Sequence, residues 1–213
     1  MTQVTRWWWV RHAPVVADAA RIYGQRDVDC VVSDRAAFEA LARLLPADAV
    51  WVSSHLKRAK LTAQAIADAG LAAPPLLIEP ALAEQNFGEW QGQLRSEVYA
   101  RNPDQRRFWL APADTAPPGG ESFTAVVGRV SQAILRLSAA HAGRDIIAVA
   151  HGGTIRAALA LALRLAPATA LAFTTDNLAV TRLEHLNDLD AWRVGVVNLP
   201  AQSASPVVAA TLA

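Results

Sequence analysis

The chain has 213 residues, 53% of them apolar, and a net charge of +1, enough sequence to bury a substantial core in one domain. The near-cancelling charges exclude the basic footprint of a nucleic-acid binder and the composition of an acidic tail. A single cysteine, Cys30, excludes an intramolecular disulfide and fits a reducing, cytoplasmic setting. The apolar stretch Trp7 to Val10 is broken at once by Arg11 and His12, too short for a signal-peptide core. No run of about 18 uncharged apolar residues occurs, so no membrane span is expected.

Val4 to Val10 is rich in aromatic and β-branched residues and reads as a buried strand. Asp34 to Leu45 reads as a helix with Pro46 beyond its end. Ala49 to Val52 is a short strand, with Ser53 and Ser54 as a capping signal for a helix over Lys57 to Ala69 that Gly70 ends. Leu76 to Ile78 is another strand. The stretch from Pro80 to Glu121 has interrupted patterns, several aromatics and a Pro/Gly cluster. It reads as an inserted cap with short helices near Leu94 to Ala100 and Gln105 to Leu110. Ser122 to Ala140 is a long helix, Asp145 to Ala150 (DIIAVA) a strand at the centre of a parallel sheet, and Gly153 to Leu165 a helix closed by Pro167. Leu178 to Leu186 and Trp192 to Val197 are the last strands, around a turn at Asn187-Asp188. Strands alternating with helices predict an α/β fold with a mostly parallel sheet, in one domain over residues 1–202. The Ala-rich tail from Ser203 to Ala213 is expected to be poorly ordered.

Ligands of open α/β sheets bind beyond the carboxyl ends of strands. His12 follows the first strand and His151 follows DIIAVA, where Gly152 and Gly153 let backbone N–H groups approach an anion at a helix N-terminus. A third strand end carries Lys57, Arg58 and Lys60 in the first turn of its helix, where cations oppose the helix dipole by roughly 0.3–1 kcal/mol each. A bound anion would relieve that conflict. Two imidazoles in an electropositive spot suit phosphoryl transfer. Arginine forks bind the equatorial oxygens, a neutral imidazole attacks phosphorus, and a carboxylic acid protonates the leaving oxygen. Glu84, in LAEQNFGEWQG, is the preferred acid, with Glu89 five residues on as its rival.

The chain resembles the histidine phosphatase superfamily, the group that includes cofactor-dependent phosphoglycerate mutases. WVRHAP resembles that family's strand-plus-RHG element, and SSHLKRAKLTAQA its S-S-x-x-x-R-A-x-x-T-A segment. LAEQNFGEWQG is similar to its L-x-E-x-x-F-G-x-W-E-G segment, PPGGES to its G-E-S loop, and AVAHGGTIR to its V-x-H-G-G-x-I-R element. NLAVTRLEHLNDLDAWRVGVVN is similar to its final hairpin. The resemblance spans Trp7 to Asn198, and the elements occur in the family's order.

It implies a three-layer α/β/α sandwich with a small helical cap, and a phosphomonoesterase that needs neither metal nor cofactor. His12 is then the nucleophile, Arg11 and Arg58 bind the transferred group, His151 gives it a hydrogen bond and positive charge, and Glu84 is the acid and base. Tyr23, Gln25, Gly152 and Glu121 are further candidates for the substrate pocket. Ala13 and Pro14 depart from the family loop, and Ala13 is expected to reshape the pocket floor. The segment IYGQRDVD resembles that of alpha-ribazole phosphatase-like members, which points to an alpha-ribazole 5'-phosphate-like substrate. Arg156 and Thr154 are expected to pack or to support the residues that bind, His55 to lie outside the mouth, and His141 and His185 to lie on the surface. The rival readings are a mutase, a pocket that binds without turnover, and a protein phosphohistidine phosphatase. The expected partner is a small phosphorylated metabolite, with no nucleic acid or membrane and a monomer or homodimer. No G-x-S-x-G elbow, H-E-x-x-H pair or Cys/His cluster suggests a serine or zinc hydrolase.

Overall fold

The computed structural model describes residues 3–72, 74–101 and 109–201 of the chain. Strand β1 (Val4–Arg11) reads VTRWWWVR, and its successive side chains leave to opposite faces of a sheet. Trp7 and Trp9 enter one core, their rings stacked at 5.0 Å, while Trp8 and Val10 enter the other. Trp9 is fully buried, so truncating it to Ala would cost about 3–5 kcal/mol. The neighbouring indoles find polar partners: Trp7 Nε1 donates to Ser138 Oγ at 2.9 Å and Trp8 Nε1 to Asp145 Oδ1 at 2.9 Å. The tryptophan run is core and sheet packing, as expected.

Five strands join it: β2 (Ala49–Ser53), β3 (Leu77–Ile78), β4 (Asp145–Ala150), β5 (Val180–Leu186) and β6 (Ala191–Leu199). Their order is β3-β2-β4-β1-β5-β6. The first four run parallel, and β5 runs antiparallel to both β1 and β6. The sheet is mostly parallel as the alternating pattern predicts, and the reversal comes from the closing hairpin, which turns at Asn187–Leu189.

Helices α1 (Arg35–Leu44) and α2 (Lys57–Asp68) cover the Trp8 face through Phe38, Leu41 and Ile66. Asp34 caps α1, its carboxylate accepting from Ala37 N at 3.1 Å. Between β3 and the fourth helix lie 3₁₀ turns at Pro80–Leu82 and Gly88–Trp90 and the short helix α3 (Arg95–Arg101). Helices α4 (Phe123–Ala140) and α5 (Gly152–Leu163) pack on the Trp7 face, and α6 (Pro167–Ala170) follows. Two covered faces make the expected three layers.

The cap-like segment has its own small core of Ile22, Phe87, Val98 and Leu110. The β1–α1 loop ties to it through Ile22 N to Gln93 O and Gly92 N to Ile22 O, at 2.9 and 2.7 Å. Residues 105–108 of the expected second cap helix, and the tail from Ser203, lie outside the described residues.

Four local expectations need correction. Pro167 opens α6 at its first position, where a missing N–H costs nothing. Leu76 lies outside β3. Ser53 and Ser54 do not cap α2, whose boundary residue is Leu56. Ser53 Oγ instead donates to Val149 O at 3.0 Å, across to the neighbouring strand. His185 is buried at 8% exposure and stacks on Trp192 at 4.5 Å, because β6 covers it. Among the described residues no helix is long and apolar enough to cross a membrane.

Candidate active site

Register builds the site. In the parallel block Arg11 stands beside Ala150 and Ser53 beside Val149. The next residues, His12, Ser54 and His151, therefore leave the sheet at one edge, beyond strand carboxyl ends. The two imidazole centroids are 5.2 Å apart.

His12 is 1% exposed, and its Nδ1 lies 2.8 Å from Ala13 O. A carbonyl only accepts, so Nδ1 carries the proton and Nε2 keeps its lone pair. Burial first, then the charges of Arg58 and Arg11, hold the His12 pKa well below its ordinary value. The ring is thus a neutral imidazole at neutral pH, the form that attacks phosphorus.

Arg58 is fully buried and held in a fork: Nη1 donates to Arg26 O at 3.0 Å and Nη2 to Gly24 O at 2.7 Å, with its Cζ 4.9 Å over the Tyr23 ring. Burial lowers its pKa from the ordinary guanidinium value. Arg11 Nη1 donates to Thr175 O at 2.5 Å. Among the described residues Arg11 Nε, Arg58 Nε and His151 Nδ1 are buried without a protein partner. Buried donors are seldom left so, and here they belong to the residues expected to grip an anion.

Lys57 and Lys60 do not join them. Lys57 pairs with Asp29, and its backbone N–H donates to Asp27 Oδ1 at 2.5 Å. Asp27 thereby supplies the negative charge that the α2 N-terminus favours. Lys60 is exposed.

His151 Nε2 lies 2.7 Å from Ser54 Oγ, which also accepts Leu56 N–H at 3.3 Å. Burial, followed by the charges of Arg58, His12 and Arg11, holds the His151 pKa well below normal. This corrects the expected positive charge: in the free protein His151 is neutral and offers a hydrogen bond alone.

Glu84 lies at the N-terminus of α5, its Oε1 accepting Gly153 N at 3.1 Å and Gln85 N at 2.9 Å. A carboxylate suits the positive end of a helix. Glu84 lines a cavity of about 200 Å³ together with Arg11, Tyr23, Gly152 and Arg156. Its rival Glu89 is exposed and away from that wall, so geometry separates the two.

Gln25 and Glu121 serve the walls instead of facing the cavity. Gln25 Nε2 donates to Glu84 O at 2.8 Å. Glu121 takes the Arg129 fork at 2.9 and 3.0 Å, and Arg129 in turn donates to Ala81 O, Ala83 O and Glu84 O. That buckle fixes the chain bearing Glu84. His55 is exposed and absent from the lining.

Ala13 does not reshape the floor. It is fully buried among Val10, Phe38 and Leu178, and its N–H donates to Thr62 Oγ1 at 2.8 Å. Its methyl group goes into the core, and its φ is not positive, so the position asks nothing that only glycine supplies.

Sequence reasoning missed Ser54, Thr175, Asn177, Arg95, Tyr99 and Trp109, and misread Arg156. Asn177 Nδ2 donates to His12 O at 2.6 Å. Arg156 was expected to pack, yet it lines the cavity. Its signal was its place four residues after Gly152, since helical side chains lean back toward the N-terminus.

Comparison with known proteins agrees with this geometry. Residues 7–199 match the model of the histidine phosphatase superfamily (branch 1). A glucosyl-3-phosphoglycerate phosphatase from Mycolicibacterium vanbaalenii is 37% identical over 168 residues, 73% of each chain. A metal-independent phosphoserine phosphatase from Arabidopsis thaliana is 32% identical over 202 residues, covering 90% of this chain and 82% of its own. The structure of a mycobacterial glucosyl-3-phosphoglycerate phosphatase with inorganic phosphate superposes with a TM-score of 0.79 at 30% identity, over 93% of this chain and 99% of that one. The alpha-ribazole phosphatase of Shigella flexneri, 24% identical with a TM-score of 0.73 over 91% of this chain and 96% of its own, shares the fold.

Proposed function

Because the chain belongs to the histidine phosphatase superfamily and is a phosphoric monoester hydrolase of that family, we propose that it works without a metal, through a phosphohistidine on His12, on a small phosphorylated metabolite. The observation that carries this reading is the neutral His12 ring, its Nδ1 committed to Ala13 O, between two guanidiniums.

In the first step His12 Nε2 attacks phosphorus and the ester P–O bond breaks. Glu84 gives its proton to the departing oxygen. In the second step Glu84 takes a proton from water, whose oxygen attacks phosphorus and breaks the P–N bond, releasing phosphate and the free imidazole. Arg11 and Arg58 stabilise the charge on the equatorial oxygens, with the hydrogen bond from His151. The preorganised fork of Arg58 means little rearrangement as that charge develops. Water must enter for the second step, which separates this reading from mutase-type return of the phosphoryl group.

An alpha-ribazole phosphate is the weaker choice of substrate. The segment that pointed to it, Ile22 to Asp29, has a structural task here: Gly24 O and Arg26 O hold Arg58, and Asp27 meets the α2 N-terminus.

The test is hydrolysis of an aryl phosphate with and without chelator, by the wild type and His12→Ala, with acid-labile, base-stable phosphate trapped on the protein by rapid quench. Chelator-resistant turnover and trapped phosphate, both lost in His12→Ala, are expected. Turnover that survives His12→Ala, or that stops with chelator, would sink the mechanism.

A further inference from the structure

Arg156 has no part in the mechanism above, although it lines the same cavity. Its Nε donates to Phe173 O at 2.8 Å, and its Cζ lies 4.9 Å over the Trp109 ring. Those contacts fix the guanidinium plane, and among the described residues no acceptor takes either Nη group. Among the described residues no carboxylate comes within ion-pair distance of it, 4.0 Å. Burial lowers its pKa to about 10, which still leaves it charged at neutral pH.

Its side chain runs back along α5. A Cβ built on Gly152 would lie 3.0 Å from Arg156 Nη1, 3.1 Å from Thr175 Oγ1 and 3.7 Å from Arg11 Nε. Arg156 thus crowds the same point as Arg11, the proposed phosphoryl binder, and among the described residues Thr175 Oγ1 is buried there without a partner. Two like charges so placed repel, and both sit at the positive end of a helix. Packing alone does not call for this: Trp109 would be covered as well by an apolar side chain with no desolvation cost.

Charge matching decides what the arrangement suits. Arg11, Arg95 and Arg156 line the cavity with Glu84 as the carboxylate among the lining residues, while Asp176 lies farther from Arg156, beyond ion-pair distance. Among the described residues none of these carboxylates pairs with Arg156 directly, so its own charge has no partner at contact distance. A planar guanidinium with two free N–H edges, stacked on an indole, is built to take a carboxylate or a second phosphoryl group in a two-pronged contact.

We propose that Arg156 is a second-anion subsite, which selects phosphomonoesters carrying a further carboxylate or phosphate within a few bonds of the scissile group. The proposal rests on the phosphatase reading above and adds the substrate class to it. The cavity volume of about 200 Å³ favours a compact substrate of this kind.

A matched pair tests it without any mutation: glycerol 3-phosphate and 3-phosphoglycerate share a skeleton and differ by a carboxylate. Glycerol 3-phosphate and glycerol 1,3-bisphosphate make the same comparison for a second phosphate on a short skeleton, and tell the two sources of anion apart. The wild type should show kcat/KM at least tenfold higher for the second member of one pair. In Arg156→Gln that preference should fall at least tenfold, mainly through KM, and Arg156→Lys should restore part of it. Wild-type values within threefold in both pairs, or a preference unchanged in a folded Arg156→Gln or Arg156→Lys, would overturn the subsite. Aryl phosphate hydrolysis dependent on His12, measured on the same preparation, keeps that failure distinct from failure of the phosphatase reading.

Discussion

Ser54 Oγ lies 2.7 Å from Nε2 of His151, joining two strand ends 97 residues apart in sequence. Ser54 already accepts Leu56 N–H, so its one proton is available for His151 Nε2. That donation leaves the proton of the neutral ring on Nδ1, the nitrogen buried without a partner among the described residues. On the proposed mechanism, Ser54 is therefore a positioning residue that turns a neutral His151 into a donor for the phosphoryl oxygens. Ser54→Ala should lower kcat about 10–100-fold, the scale for outer partners that fix a histidine's tautomer, with KM little changed. Ser54→Thr, which keeps the hydroxyl, should recover most of it. Steady-state kinetics of both variants check this, and a normal kcat in Ser54→Ala excludes the role.

Gly153 is closed to any side chain by Glu84. A Cβ at Gly153 would collide with Glu84 Oε1, the oxygen that accepts Gly153 N. Gly153→Ala should thus displace the acid and resemble Glu84→Gln. Both should slow alkyl phosphates far more than aryl phosphates, whose leaving groups need less protonation, by about 10²–10⁴-fold on the alkyl esters. The double variant should be no worse than Glu84→Gln alone. Additive losses would show that the two residues act separately.

Arg58 binds two carbonyls with one rigid fork, and on the proposed mechanism also grips the phosphoryl group, a combination an ammonium cannot copy. Arg58→Lys should lower kcat/KM by about 10²–10³-fold, as for removal of one transition-state donor. The loss of both carbonyl contacts should also lower the melting temperature. Calorimetry beside kinetics checks the pair of effects, and near-normal turnover in Arg58→Lys would show that the fork does not act on the phosphoryl group.

The depressed pKa values of His12 and His151 set a pH window for stability. Both rings are neutral in the fold well below pH 6.5, while in the unfolded chain they gain protons near 6.5. The unfolded state then binds more protons, so the stability these residues contribute is complete above about pH 6.5. It falls as pH drops toward their folded values, by at most about 1.4 kcal/mol per pH unit for each ring. Thermal melts from pH 8 to 5 should show this slope, and His12→Gln should flatten it. An identical slope in His12→Gln would show that His12 takes up its proton in the fold as readily as in the unfolded chain.

Much of the frame was legible because local patterns carried it. DIIAVA could hardly be other than a central strand, and the WWW run alternates between two cores. His12, Arg58 and His151 were legible because they follow strands whose parallel pairing brings their ends together. The pairing partners were not legible. Thr175 and Asn177 reach Arg11 and His12 only because β5 turns back along β1, a long-range fact with no local trace. Ser54 looked like a helix cap, since serine serves caps and histidines by the same hydroxyl. Glu121 looked like a ligand residue, but Arg129, on the following helix, claims its carboxylate.

The peptide around His12 is tied to three separate places: His12 N donates to Ala150 O at 3.0 Å, Ala13 N to Thr62 Oγ1, and Asn177 holds His12 O. His12, the proposed nucleophile, hangs from the middle of the sheet, so its amides belong to the most slowly exchanging class, which opens only when the whole sheet comes apart. The cap-like segment joins the main core at its two ends through Leu82 and Ala113, while its outer part has the small core of Ile22, Phe87, Val98 and Leu110. The molecule thus divides what must not change from what can be traded. On the proposed mechanism the outer cap around Val98 and Leu110 can be lengthened or replaced, while the peptide bearing His12 stays locked to the part of the fold that fails last.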